Sequence, residues 1–315
     1  MRVVFMGSAD FSLPCLDALY HSEHELLAIV TQPDKPKGRG KNLGYTPVKE
    51  WAIKQHIPLL QPLKVNDPQS VAEIAALHAD VFIVVAFGQI LKQNLLQLTK
   101  FGCLNVHGSL LPAYRGAAPI HWAIRNGETE TGVSIMQMDA GMDSGPILLQ
   151  KSMMIGENET VGEVHDCMAT LGAQALMEAL TLLEKGKVKE QKQEQSLVTF
   201  APLLKKEHEA ICWQKDAVFL HNQIRGMSPW PGTYTVWQGE RIKLYRSLLA
   251  DTEKSYMPGQ ILKIDNQNGI LVGTPKGALW LKEVQPAGKK KMHAAEFARG
   301  KRIQIGMQFD DISIA

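Results

Sequence analysis

Asp80-Val81-Phe82-Ile83-Val84-Val85-Ala86-Phe87-Gly88 is an apolar run, unbroken from Val81 to Phe87, that stops at a glycine. A strand with one wet face alternates apolar and polar residues, so a run without alternation is expected of a strand covered on both faces. Around it the chain changes kind at regular intervals. Residues 2–6 and 25–32 read as strands, and 11–20, 48–55 and 69–78 read as helices. Further on, 103–107 and 132–138 read as strands, with helices at 117–126 and about 161–183. Strands alternating with helices imply right-handed crossovers and an α/β fold on an open, mostly parallel, Rossmann-like sheet.

At roughly 150 residues per domain, 315 residues suggest two domains. Residues 185–196 (KGKVKEQKQEQS) have few apolar groups and no periodicity and read as a linker. Beyond about 208 come short alternating segments at 232–237, 241–247, 259–265, 269–274 and 278–284. Five such strands fit a smaller C-terminal OB-like β-barrel. The boundaries expected are 1–189 for the catalytic domain, 190–207 for the linker and 208–315 for the barrel.

Hydrophobic residues at 45% and charged residues at 21% are ordinary for a globular chain and exclude bulk disorder. No apolar run approaches the roughly 18 to 20 residues that cross a bilayer. The N-terminal strand reaches Gly7, Ser8 and Asp10 too soon for a secretory signal, so a cytoplasmic location is expected. Cys15, Cys103, Cys167 and Cys212 lie far apart with no C-x-x-C pair, which points to neither a disulfide framework nor a zinc cluster. Charge is unevenly spread. Residues 1–204 carry 17 basic and 21 acidic side chains, whereas 205–315 carry 17 and 11. That asymmetry suits a C-terminal part meeting a polyanion, although a solvated basic surface explains it equally.

Open α/β sheets bind ligands beyond the C-terminal ends of their strands. The first strand ends in Met6-Gly7-Ser8-Ala9-Asp10, which has neither G-x-G-x-x-G nor a P-loop. A second strand ends in Asn105-Val106-His107-Gly108-Ser109, where Asn105 and His107 project to one face. A third, Met138-Asp139-Ala140-Gly141-Met142-Asp143-Ser144-Gly145, puts two carboxylates on a glycine-rich loop. Taken singly, a satisfied core histidine and ordinary Asp/Gly turns account for them. Together they suit acyl-type transfer without a side-chain nucleophile. His moves protons near neutrality, a carboxylate raises its basicity, and an amide donates to an oxyanion. No G-x-S-x-G elbow and no metal-ligand spacing is present.

Residues 33–49 form a long Pro/Gly loop bearing five cations, Lys35, Lys37, Arg39, Lys41 and Lys49, against Asp34 alone. It is either a solvated loop or a phosphate-gripping finger with Arg39 at its tip.

The stretch His107-Gly108-Ser109-Leu110-Leu111-Pro112-Ala113-Tyr114-Arg115-Gly116-Ala117-Ala118-Pro119-Ile120, then Thr131–Asp139 and Gly141-Met142-Asp143-Ser144-Gly145, resembles the formyltransferases that use 10-formyltetrahydrofolate. The basic loop, the linker and a second domain with Asn222-Gln223-Ile224-Arg225-Gly226, Pro229-Trp230-Pro231-Gly232 and Gln285-Pro286-Ala287-Gly288-Lys289-Lys290 are similar to the members that formylate methionyl-tRNA. The resemblance spans essentially the whole chain. It implies that Asn105, His107 and Asp143 carry catalysis. It implies a folate cleft lined by Phe87, Gly88, Ile90 and Leu91, by Ser109, Leu110, Leu111 and Pro112, and by Asp139, Gly141 and Met142. The expected reaction is direct attack of the methionyl α-amino group on the formyl carbon, with Asn105 and His107 holding the oxyanion and Asp143 assisting. Initiator methionyl-tRNA is the implied partner, gripped by Lys35, Lys37, Arg39 and Lys41 of the loop and by Lys289, Lys290, Lys291, Arg299, Lys301 and Arg302 of the second domain. No metal and a monomeric state are expected.

Three rivals use part of the same pattern. A sugar-nucleotide formyltransferase shares the folate chemistry but needs no basic finger. A glycinamide ribonucleotide transformylase needs only the first domain. A non-catalytic RNA-binding module would keep the basic surfaces without assembling Asn105, His107 and Asp143.

Overall fold

The computed structural model describes residues 1–37 and 42–310. In chain order its elements are β1 (Arg2–Gly7), α1 (Leu13–Tyr20), β2 (Glu25–Val30), β3 (Lys35–Lys37), β4 (Asn42–Gly44), α2 (Pro47–Lys54), β5 (Leu59–Leu60), α3 (Pro68–Ala75), β6 (Val81–Val85), α4 (Gln93–Leu96) and β7 (Cys103–His107). There follow α5 (Pro119–Arg125), β8 (Glu130–Gln137), β9 (Ile147–Met154), α6 (Val161–Glu184), α7 (Ala217–Arg225), β10 (Thr233–Trp237), β11 (Glu240–Leu249), β12 (Ile261–Asp265), β13 (Gly269–Gly273), β14 (Ala278–Pro286), β15 (Met292–His293) and α8 (Ala294–Lys301). Two compact units share them. One holds 1–116, 132–153 and 165–200; the other holds 117–131, 154–164 and 201–315.

The first unit is built on a seven-stranded sheet in the order β5-β2-β1-β6-β7-β8-β9. The five strands from β5 to β7 run parallel, and β8 is antiparallel to β7, with Asn105 opposite Met136 and His107 opposite Ser134. All five residues of β6 are buried. Phe82 and Val84 join Val4 and Met6 in one core cluster, while the alternate residues Ile83, Val85, Val3 and Phe5 are no more exposed. Both faces are therefore covered, which is why this strand carries no polar alternation. Burial at about 1.5–3 kcal/mol per large apolar side chain makes β6 and β1 the anchors of the sheet. Strand β9 was not foreseen from the sequence, because Gln150, Lys151 and Ser152 interrupt its apolar pattern.

The second unit contains a six-stranded antiparallel sheet in the order β10-β11-β14-β13-β12, with β15 added to β14. Its core gathers Trp213, Leu220, Ile242, Leu244, Leu281 and Phe297, and both α7 and α8 pack on it. Among the described residues the expected barrel is not closed: β10 and β12 are edges that do not pair with each other. The end of the chain reaches both instead, through bridges Val236↔Asp310 and Gln260↔Gln308. Phe309, buried between these bridges, stacks on Trp213 at 5.5 Å and meets Trp237 edge-on at 5.4 Å. Helices α7 and α8 were also unforeseen; α7 reads as half polar in sequence because His221, Asn222, Gln223 and Arg225 are buried polar residues. Among the described residues no helix is long and apolar enough to cross a membrane.

Candidate active site

The strand order makes a switch point between β1 and β6, since the chain leaves β1 toward β2 and later returns on the other side. Ligand crevices form at such points. A cleft of about 430 Å³ lies there, lined among others by Ser8, Gln32, Lys35, Tyr45, Phe87 and Gly88. Its floor is tied down by polar contacts. Ser8 Oγ donates to the Phe87 carbonyl at 3.0 Å and accepts from Gln32 N at 3.1 Å, and the Gln32 amide also donates to the Phe87 carbonyl at 3.3 Å.

One strand beyond β6, β7 delivers Asn105 and His107 to the same side, two residues apart. His107 is only 6% exposed. Its Nε2 lies 3.0 Å from the Tyr114 carbonyl, an acceptor only, so Nε2 carries the proton. Its Nδ1 faces Asp143 Oδ2 at 3.7 Å. Asp143 in turn accepts from the Gly116 N–H at 2.8 Å on Oδ2, and its Oδ1 is 3.5 Å from Asn105 Nδ2. Thus Asp143, far along the chain, joins Asn105 and His107 in one polar knot at the end of β7. Asp143 holds a left-handed backbone (φ 48°), as do Tyr114 (φ 60°) and Ala86 (φ 46°). Non-glycine residues adopt this region at a cost of about 1–3 kcal/mol, and such outliers cluster at functional sites.

The residues expected to line a folate cleft are treated unequally. Phe87 and Gly88 line the switch-point cleft. Ile90 is 84% exposed, and Met142, Asp139 and Gly141 are also exposed. Leu91 and Leu111 are buried, Leu110 and Pro112 half-buried. Ser109 is buried and spent on its own loop, donating to the Ala113 carbonyl at 2.6 Å. Asp139 shapes the other loop by accepting from Gly141 N at 3.0 Å and Ser144 Oγ at 2.7 Å. Glycine is required at 145, where a Cβ would lie 1.9 Å from the Gln137 carbonyl.

Of the cationic residues expected to meet nucleic acid, Arg39 and Lys41 lie outside the described residues. Lys35 is exposed on β3, and Lys37 ends that strand. In the second unit Lys289, Lys290 and Arg302 are exposed. Lys291 sits over the Tyr245 ring at 3.7 Å and 3.8 Å from Glu283. Arg299 donates to Asn266 at 2.7 Å and Lys301 pairs with Glu240 at 2.6 Å. The two ion pairs among these, Lys291–Glu283 and Lys301–Glu240, lie at the surface, where such pairs are worth about 0–1 kcal/mol.

Sequence reasoning missed the groups that fix the knot: the Tyr114 carbonyl, the Gly116 N–H and the side chain of Gln193, whose Nε2 donates to the Asp143 carbonyl at 2.8 Å. The first two are backbone atoms with no side-chain signature, and Gln193 sits in a polar stretch that reads as a linker. Among the described residues no cluster of three or more His, Cys, Asp or Glu could hold a metal ion.

The fold and this site define a class. The formyl transferase family matches residues 1–180 and its C-terminal domain matches residues 203–302. The chain therefore belongs to the formyl transferase family. Among its curated relatives are the methionyl-tRNA formyltransferases of Geobacter sulfurreducens, 46% identical over 99% of this chain and 97% of that one, and of Trichlorobacter lovleyi, 48% identical over 97% and 96%. The solved N-formyltransferase of Helicobacter canadensis, in complex with folinic acid and dTDP-3-aminofucose, superposes with a TM-score of 0.66. At 18% identity, over 91% of this chain and 99% of that one, it shares the fold.

Proposed function

We propose that this chain transfers the formyl group of 10-formyltetrahydrofolate to the α-amino group of methionine esterified to initiator tRNA, giving formylmethionyl-tRNA for translation initiation. The observation that carries this reading is similarity to methionyl-tRNA formyltransferases along almost the entire chain, at 43–48% identity. The sugar-nucleotide alternative rests on relatives that share the fold at 18–19% identity. The reading places the enzyme in the cytoplasm as a monomer.

The chemistry needs no covalent adduct. An α-amino group titrates near 8 (about 7.7–8.0), so an uncharged fraction attacks the formyl carbon at neutral pH. The resulting oxyanion needs a fixed donor. Asn105 Nδ2 is the amide best placed to serve, since its 3.5 Å approach to Asp143 is long for a hydrogen bond. His107 is engaged at Nε2 by the Tyr114 carbonyl and turns Nδ1 to Asp143. In this reading it joins the oxyanion's donors when the Tyr114 carbonyl yields Nε2 to the substrate. Asp143, with Oδ2 satisfied by Gly116 N–H, keeps Oδ1 to relay the proton of the attacking amine to the folate nitrogen, whose bond to the formyl carbon breaks as the intermediate collapses and tetrahydrofolate leaves. Folate occupies the crevice beside Phe87 and Gly88 and the loops after β7 and β8. The basic loop and the exposed lysines of the second unit meet tRNA phosphates.

The test is incubation with 10-formyltetrahydrofolate and either charged initiator or charged elongator methionine tRNA. Formylmethionine should accumulate on the initiator alone. Formylation of a dTDP-amino sugar with none on either tRNA would overturn the assignment.

A further inference from the structure

Residues 191–200 fall between the two family matches, in the stretch whose composition suggests a tether. They are pinned within the first unit at both ends. Gln191 and Ile147 exchange backbone hydrogen bonds, each at 2.8 Å. At the other end Arg115 N donates to the Thr199 carbonyl at 2.9 Å, and Tyr114 N donates to Thr199 Oγ1 at 2.8 Å.

What lies between those anchors reaches the knot. Gln193, 9% exposed, donates through Nε2 to the carbonyls of Asp143 and Gly145, both at 2.8 Å. Its Oε1 accepts two bonds from the buried Arg115 guanidinium, from Nε at 3.0 Å and Nη2 at 2.7 Å. A charged donor pulling on Oε1 polarises the amide and strengthens its N–H donors. The Asp143 backbone, strained at φ 48°, is held from this side. Thr199 holds the other side, since Tyr114 presents the carbonyl that fixes His107 Nε2. Both partners of the His107 ring thus depend on one segment.

We propose that residues 191–200 form a positioning strap, in which Gln193 and Thr199 set the mutual geometry of His107 and Asp143 for formyl transfer. Neither residue touches the reacting atoms; each acts through another. The inference rests on the proposed formyl-transfer reading.

The experiment compares the full-length wild type with Gln193→Met, Thr199→Val and Thr199→Ser. It measures kcat and KM for donor and tRNA, the pH profile of kcat, and ¹⁵N NMR of the His107 ring against pH. Misplacing catalytic groups by about 1 Å costs about 100-fold, so Gln193→Met should lower kcat about 10- to 100-fold with both KM values within about twofold. Its pH profile and the His107 ring titration should be displaced. Thr199→Val should act in the same direction, and Thr199→Ser, which keeps the hydroxyl acceptor, should restore wild-type behaviour. An unmoved ring titration and pH profile in both Gln193→Met and Thr199→Val would overturn the strap, whether or not kcat falls. Absence of formylation by the wild type itself would overturn the functional reading instead, while the NMR titration would still judge the strap.

Discussion

Asp143 meets three demands at once: a left-handed backbone, a carboxylate oxygen on Gly116 N–H and an approach to both His107 and Asn105. Asp is among the few side chains that tolerate this backbone region, so Asp143→Asn keeps the loop while removing the charge. That variant should fold like the wild type and lose most of its turnover, with folate affinity little changed. Asn105→Ala removes the donor assigned to the oxyanion, and the expected loss is about 2.7–4 kcal/mol, or roughly 100- to 1,000-fold in kcat. Steady-state kinetics with separate donor-binding measurements check both. A rise in donor Kd matching the fall in kcat would show that these residues bind folate rather than serve the transfer step.

At the scale of elements, Thr160, just before α6, and Glu163 in its first turn form a capping box. Thr160 N and Oγ1 donate to Glu163 Oε2 at 2.9 and 2.8 Å, and Arg246 Nη2 donates to Oε1 at 2.6 Å. The Thr160 backbone bond first, then the Arg246 and Thr160 side-chain bonds, pull the Glu163 carboxyl down to about 2. A carboxyl depressed in the folded state adds stability that is fully present above its unfolded value near 4.5 and is lost as pH falls toward 2. Glu163 is 44% exposed, so the contribution is screened and small. Thermal midpoints of wild type and Glu163→Gln should therefore differ modestly at pH 6 and converge below pH 3. A gap that stays constant with pH would remove the carboxylate from the account. The same scale shows what was legible beforehand. β6 and β1 could be read because a strand buried on both faces writes its burial into consecutive residues. β9 and α7 could not, because Lys151 of β9 pairs with Glu178, and in α7 His221 meets Ser247 and the Glu157 carbonyl while Arg225 donates to the Gly156 and Glu159 carbonyls, all of them partners distant in sequence. Asn105, His107 and Asp143 were legible as residue types at strand ends. The atoms that aim them, a carbonyl, an N–H and a distant amide, leave no trace in a linear pattern.

For the molecule as a whole, the segment 308–310 decides how the second sheet ends. Phe309 packs on Trp213 and Trp237 while its neighbours bridge β10 and the residue before β12. Exposed edges invite pairing with other chains. Phe309→Ala should cost about 3–5 kcal/mol by urea unfolding and raise light scattering on heating. Unaltered unfolding and scattering would mean that the edges need no cover. The division into units carries a different consequence. Residues 117–131 and 154–164 group with the second unit although residues of the first unit flank them in sequence, so the backbone passes from one unit to the other five times. A recombination event or a designed chimaera that swaps the C-terminal half at one splice would import a body without two of its own pieces. Such an exchange has to carry those two stretches along, or tolerate foreign ones, and the first unit inherits the same dependence.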